Sequence, residues 1–211
     1  MTYSVKETFY TLQGEGAHTG RAAVFLRFSG CNLWTGREQD RASAICTFCD
    51  TDFVGTDGDG GGKFKTADDL AAHVKSFWPK GGAGVPYVVC TGGEPLLQLD
   101  AALITALHKE GFEIGVESNG TQKAPDDIDW LCISPKAGSE LIQTSGDELK
   151  LVVPQDGYSL EALEKLDFKR YSLQPMDGPD LTTNTMLAIE LVRERPNWQL
   201  SLQTHKITGI R

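Results

Sequence analysis

Seven short apolar runs, set between polar or helix-patterned stretches, constrain this chain more than any other feature. They are AAVFLRFS (22–29), PYVVC (86–90), FEIGVE (112–117), WLCIS (130–134), ELKLVVP (148–154), RYSLQP (170–175) and WQLSLQ (198–203). Several are nearly continuous rather than alternating, which fits strands covered on both faces, as in a parallel sheet. Thr66 opens TADDLAAHVKSFW, a capping-box-like start with Asp in place of Glu, and Leu70, Val74, Phe77 and Trp78 follow at helical spacing. Leu99, Leu103 and Leu107 form a second helical stripe; 159–166 and 182–195 read as a third and fourth helix, the last closed by Pro196. This alternation implies an α/β fold. The stretches 118–129 and 135–147 are too polar and broken for helices. About six or seven strands are therefore served by fewer helices, which predicts an incomplete, opened (β/α) barrel. Residues 1–211 read as a single domain, with GTDGDGGGK (55–63) as a mobile surface loop.

Charge and cysteine usage narrow the function. The net charge is −9 and no Lys/Arg run occurs, so no nucleic-acid partner is expected. Neither a signal-peptide core nor a window of about 18–20 apolar residues is present, and a soluble, cytoplasmic protein with no membrane partner is expected. The five cysteines are an odd count, and in a reducing compartment clustered cysteines read first as metal or redox chemistry.

Three of them fall in GCNLWTGREQDRASAICTFCDTD (30–52): Cys31, Cys46 and Cys49. Cys90 and Cys132 lie inside apolar runs and read as buried core thiols. Thiolates bind zinc or iron–sulfur clusters. A structural zinc site wants four closed ligands. A [4Fe–4S] cluster held by three leaves one iron open to a small-molecule chelate. Three unrelated thiols, or a zinc site completed by His18 or Asp50, are the alternatives. Cys31 follows the first apolar run, so the thiols belong at the carboxyl end of that strand. PYVVC likewise runs into TGGEP (91–95), where paired glycines let backbone approach a ligand closely. That end of the strands is where barrel-like folds build active sites.

Cys46-Thr47-Phe48-Cys49 followed by GGEP resembles the radical S-adenosylmethionine (SAM) enzymes, whose usual motif is C-x3-C-x-φ-C with φ aromatic. Here the first spacing is fourteen residues. FYTLQGEG (9–16), FCDTDF (48–53), CTGGEP (90–95), ISPK (133–136), LKLVVP (149–154), LQPMDG (173–178) and QTHK (203–206) resemble, in order, the 7-carboxy-7-deazaguanine synthase family. The long cluster loop is similar to that of one bacterial subset of it.

The resemblance implies a radical SAM (β/α) fold and a ring contraction, in the biosynthesis of queuosine and other 7-deazapurines. 6-Carboxy-5,6,7,8-tetrahydropterin becomes 7-carboxy-7-deazaguanine with loss of ammonia. In the family an electron from the cluster splits SAM, the 5′-deoxyadenosyl radical takes a substrate hydrogen, and SAM is regenerated. It also implies roles for residues of this chain. Cys31, Cys46 and Cys49 would hold the [4Fe–4S] cluster. Phe48, Cys49, Asp50, Gly93, Ser134, Pro135, Lys136, Gln174, Pro175, Met176 and Asp177 would form the SAM site, with Glu117 to Asn119 as weaker candidates. Leu12, Gln13, Gly14, Glu15, Arg27, Thr91 and His205 would contact the pterin, Arg27 as a fork for its carboxylate. Arg211 would contact it through its main-chain carboxylate. Thr51 matches a hydroxyl ligand to Mg2+. An external one-electron donor and a homodimer are further expectations of the family. A radical SAM activase of a partner protein and a non-enzymatic zinc module are the rival functions.

Overall fold

All seven runs form strands in the computed structural model, which describes residues 2–81 and 83–211, and two more strands join them. In chain order they are β1 (Tyr3–Leu12), β2 (Ala22–Phe28), β3 (Gly62–Phe64), β4 (Tyr87–Gly92), β5 (Glu113–Ser118), β6 (Trp130–Ile133), β7 (Ser145–Val153), β8 (Asp167–Pro175) and β9 (Trp198–Leu200). One sheet holds all nine in the order β3-β1-β2-β4-β5-β6-β7-β8-β9. From β2 to β9 every neighbour is parallel, while β1 runs antiparallel to both β2 and β3. The sheet stays open, with β3 and β9 at its two edges.

The helices are α1 (Ala67–Phe77), α2 (Ala101–Lys109), α3 (Leu160–Leu163), α4 (Leu181–Glu194) and α5 (Thr204–Thr208). Thr66 accepts a hydrogen bond from the Asp69 amide (3.1 Å), and Asp100 accepts one from Leu103 (3.0 Å). Each such cap contributes about 1 kcal/mol. Neither 118–129 nor 135–147 is helical. Among the described residues no helix is long and apolar enough to cross a membrane.

Successive strand residues point to opposite faces. On one face Val24, Leu26, Val88, Cys90, Ile114, Val116, Leu149 and Leu151 pack with Leu70, Val74, Leu103 and Leu107 of α1 and α2 into the main core. The other face is polar toward its carboxyl end. Arg27 stands beside Thr91, and Glu117, Cys132, Glu148 and Arg170 stand in register across β5 to β8. Cys90 and Cys132 are both buried, but on opposite faces: Cys90 in the core, Cys132 among carboxylates.

The Gly-rich stretch read as a mobile loop is laced to β1. The Gly58 amide donates to the Lys6 carbonyl (3.0 Å) and the Thr8 amide to that of Asp59 (2.8 Å). A Cβ on Gly61 would stand 2.3 Å from the Lys6 carbonyl oxygen. Glycine here permits two backbones to touch.

Candidate active site

A cavity of about 420 Å3 opens where the parallel strands end, lined by the 31–53 loop, the termini of β4 to β8, and α5. Cys31, Cys46 and Cys49 all line it. The loop that carries them is closed at its base by a hydrogen bond from Gly30 to the Phe53 carbonyl (3.2 Å). Inside it the Ile45 and Cys46 amides donate to Leu33 (3.1 and 3.3 Å), and the Leu33 amide reaches the Cys31 sulfur (3.4 Å). A hydrogen bond from Cys46 holds the Cys49 thiol down to about 6 despite burial. The same bond, with burial, pushes Cys46 up, and burial pushes up Cys31. A thiol of lowered pKa is poised to ligate a soft metal. Among the described residues no three His, Cys, Asp or Glu side chains converge tightly enough for a single ion. The two proposed fourth zinc ligands are engaged elsewhere. His18 Nδ1 pairs with the Tyr87 hydroxyl (2.9 Å) away from the cavity lining, and Asp50 pairs with Lys206 (2.5 Å).

The GGEP turn is built against Cys31. Gly93 has no room for a side chain: a Cβ would stand 2.1 Å from the Gly30 carbonyl oxygen and 2.8 Å from the Cys31 Cβ. The turn is fixed from below by Glu94, fully buried, which accepts hydrogen bonds from the Asn119 and Leu96 amides and the Ser118 hydroxyl (2.7, 2.9 and 2.9 Å). Burial raises its pKa, while these donors favour its charge. Three thiols on one cavity wall, beside bare backbone, fit a cluster with an open iron and a chelating ligand.

Around this wall lie Phe48, Asp50, Ser134, Lys136, Gln174, Pro175, Met176 and Asp177, together with Glu117, Ser118 and Asn119. Pro135 is the exception: it is buried and does not line the cavity. It follows the end of β6, where alternate residues face away from the site. Lys136 donates to the carbonyl and hydroxyl of Ser134 (2.6 and 2.7 Å), and burial lowers its pKa.

The same cavity is also lined by Leu12, Gln13, Gly14, Glu15, Arg27, Thr91, His205 and Arg211. Its floor is a charge trio. Lys150 donates to Glu15 (2.6 Å) and Glu117 (2.9 Å), with its side chain 4% exposed. Burial opposes the charge of Lys150, but Glu117 and Glu15 outweigh it and hold the pKa above the ordinary value. Burial would raise Glu15 too, yet Lys150 brings it to about 2; for Glu117 burial prevails and the pKa rises. Gln13 donates to Glu117 (3.2 Å) and Gln203 to Glu15 (2.9 Å). Arg27 spends its Nε on Glu7 (2.8 Å). Arg211 also pairs with Glu7 (2.6 Å) and with Asp59, while its main-chain oxygen accepts from Thr11 (2.8 Å). Lys6, Glu7, Lys150, Gln203 and Lys206 line the cavity with no site role expected from the sequence, although Gln203 and Lys206 bound the QTHK motif. Lys150 did leave a trace there, as a charge flanked by leucines in LKLVVP.

The Radical SAM superfamily profile matches residues 39–148. The match starts beyond Cys31, as the fourteen-residue spacing would cause. Over the full length of both chains, the protein is 63% identical to the 7-carboxy-7-deazaguanine synthase of Caulobacter vibrioides and 59% identical to that of Burkholderia multivorans. The chain belongs to the 7-carboxy-7-deazaguanine synthase family. The crystal structure of QueE from Escherichia coli is similar too, with a TM-score of 0.69 at 29% identity, covering 96% of this chain and 94% of that one. The seven parallel strands and few helices of this chain are thus the open sheet of a radical SAM fold. Membership of this family carries with it a [4Fe–4S] cluster and SAM, and Cys31, Cys46 and Cys49 are the thiols that fit the first.

Proposed function

We propose that this chain contracts 6-carboxy-5,6,7,8-tetrahydropterin to 7-carboxy-7-deazaguanine with loss of ammonia, in 7-deazapurine biosynthesis. One observation carries the reading: the three thiols and the Glu15–Lys150–Glu117 floor open onto the same cavity. When bound, the cluster and SAM supply the one-electron chemistry. The protein binds, orients and excludes water. Two carboxylates against one ammonium leave the floor net negative, which suits the N–H donors of a pterin edge. Arg27 lines the cavity with neither Nη bonded to protein among the described residues, and so suits the substrate carboxylate. The α5 segment shields the site: Thr204 donates twice to the Gly14 carbonyl (2.9 Å each), and Lys206 bridges Asp50 and Asp177 (2.5 and 2.7 Å).

Mg2+ belongs to the same proposal. Thr51 lines the cavity, and its hydroxyl has no protein partner among the described residues. A hard cation there would keep several waters and template the substrate carboxylate. We extend the reading to an external one-electron donor, a homodimer, and a cytoplasmic setting in which the five free cysteines stay reduced. The test is anaerobic reconstitution with iron and sulfide, followed by reduced protein, SAM, Mg2+ and the carboxytetrahydropterin. Mass spectrometry is expected to show the carboxydeazaguanine, with the yield falling in excess chelator. Tightly bound zinc, no iron and no product would overturn the reading.

A further inference from the structure

Fourteen residues separate Cys31 from Cys46, and one side chain organises them. Arg41 stands in a 3-10 turn, Glu38–Ser43. Its guanidinium lies over the Trp34 ring, 4.1 Å from the centroid. Its Nη1 donates to the carbonyls of Thr47 (2.9 Å) and Cys49 (3.0 Å), and its Nε to Glu38 (2.8 Å). Trp34 is itself fixed: it is buried, its Nε1 donates to the Arg37 carbonyl (3.2 Å), and it meets Phe53 edge-on at 5.6 Å. Arg41 therefore spans from the segment just after Cys31 to the segment bearing Cys46 and Cys49. No backbone amide among the described residues donates to the Thr47 or Cys49 carbonyl, and neither residue belongs to a helix or strand.

We propose that Arg41 is a positioning residue for the cluster, clamping the Cys46–Cys49 segment onto the Cys31 segment and thereby making the long spacing workable. The proposal rests on the radical SAM reading of the three thiols. Planarity is essential to it. A guanidinium can stack on an indole face while its edge donates to two carbonyls and a carboxylate; an ammonium cannot do all of these at once. The fixed positive charge, bonded to the carbonyl of a cluster ligand, also favours the added electron.

The test compares Arg41→Met and Arg41→Lys with the unaltered protein after anaerobic reconstitution. It reads iron per chain, the half-time of iron loss to a chelator, and the midpoint potential by EPR-monitored titration. Circular dichroism checks the fold. Arg41→Met is expected to lose iron about 10- to 100-fold faster, the range for removing a partner behind a metal ligand, and to shift the potential negative. Arg41→Lys, which keeps the charge, is expected to restore the potential and not the retention. If Arg41→Met fails to fold, the retention of Arg41→Lys decides. Half-times equal to the unaltered protein in Arg41→Lys, or in a folded Arg41→Met, would overturn the clamp. An unaltered protein that takes up no iron would overturn the radical SAM reading of the three thiols and the clamp together, so the two failures are distinguishable.

Discussion

Lys150 shows what a single buried charge does to this site. Its neighbours along β7, Leu149 and Leu151, face the core, so alternation alone sends Lys150 to the cavity face. There it meets two carboxylates on short hydrogen bonds, almost out of reach of water. A charge so placed would be costly unpaired, and so would its partners. We expect Lys150→Met to destabilise the fold by about 3–5 kcal/mol, because it strands Glu15 and Glu117 without a counter-charge. Chemical denaturation of the two proteins checks this. Adding Glu15→Gln and Glu117→Gln to the same chain should recover much of the loss, whereas a loss that persists would point to packing rather than charge.

At the scale of elements, the GGEP turn links the sheet to the loop that carries the three thiols. Its first glycine, Gly92, has φ +142 and would put a Cβ 2.3 Å from the Phe28 carbonyl oxygen; Gly93 is blocked by Gly30 and Cys31. Gly93→Ala should therefore push the turn and the Cys31 segment apart. The expected result is a protein with native far-UV circular dichroism that binds less iron on reconstitution; normal iron content would show that the loop absorbs the methyl group. This contact was legible in part, since paired glycines at a strand end announced close approach, but not what would be approached. The same uneven legibility holds along the chain. The parallel strands were readable because both faces of each are covered, leaving long apolar runs. In β1, YSVKETFYTL, the polar Glu7, Thr8 and Thr11 break that pattern, and only its FYTL end shows, as part of a motif. Three residues were too few to announce β3, and the glycines beside it looked like freedom when they mark contact with β1. The thiols, GGEP and LQGEG stood out as local motifs. Lys206 closes the QTHK motif, but neither its role nor that of Arg41 was legible there, because each acts by joining segments that only the fold brings together: Asp50 with Asp177, and Trp34 with Cys49.

Across the whole molecule, the cost of gathering carboxylates on one sheet face should appear as a pH dependence of stability. Glu15 titrates near 4.5 when free and is held to about 2 in the fold. Between these values the unfolded chain binds the proton and the folded chain does not, so acidification favours unfolding. The stabilisation is complete above about pH 4.5 and is lost as the pH falls toward 2. It amounts to on the order of 3 kcal/mol. Glu117 works in the opposite sense. Burial raises its pKa, so it takes a proton first, and that uptake relieves a penalty instead of removing a support. Asp52, Asp57 and Asp177 are also lowered, but they pair with Lys6 or Lys206 nearer the solvent and should add less. Denaturation midpoints measured from pH 6 to 2 should thus hold level and then drop through the window set by Glu15. Glu15→Gln has no proton to take up there, and its curve should be flatter over the same window. If the substituted protein falls as steeply as the original, the acid sensitivity lies in the peripheral pairs and not in the floor of the cavity.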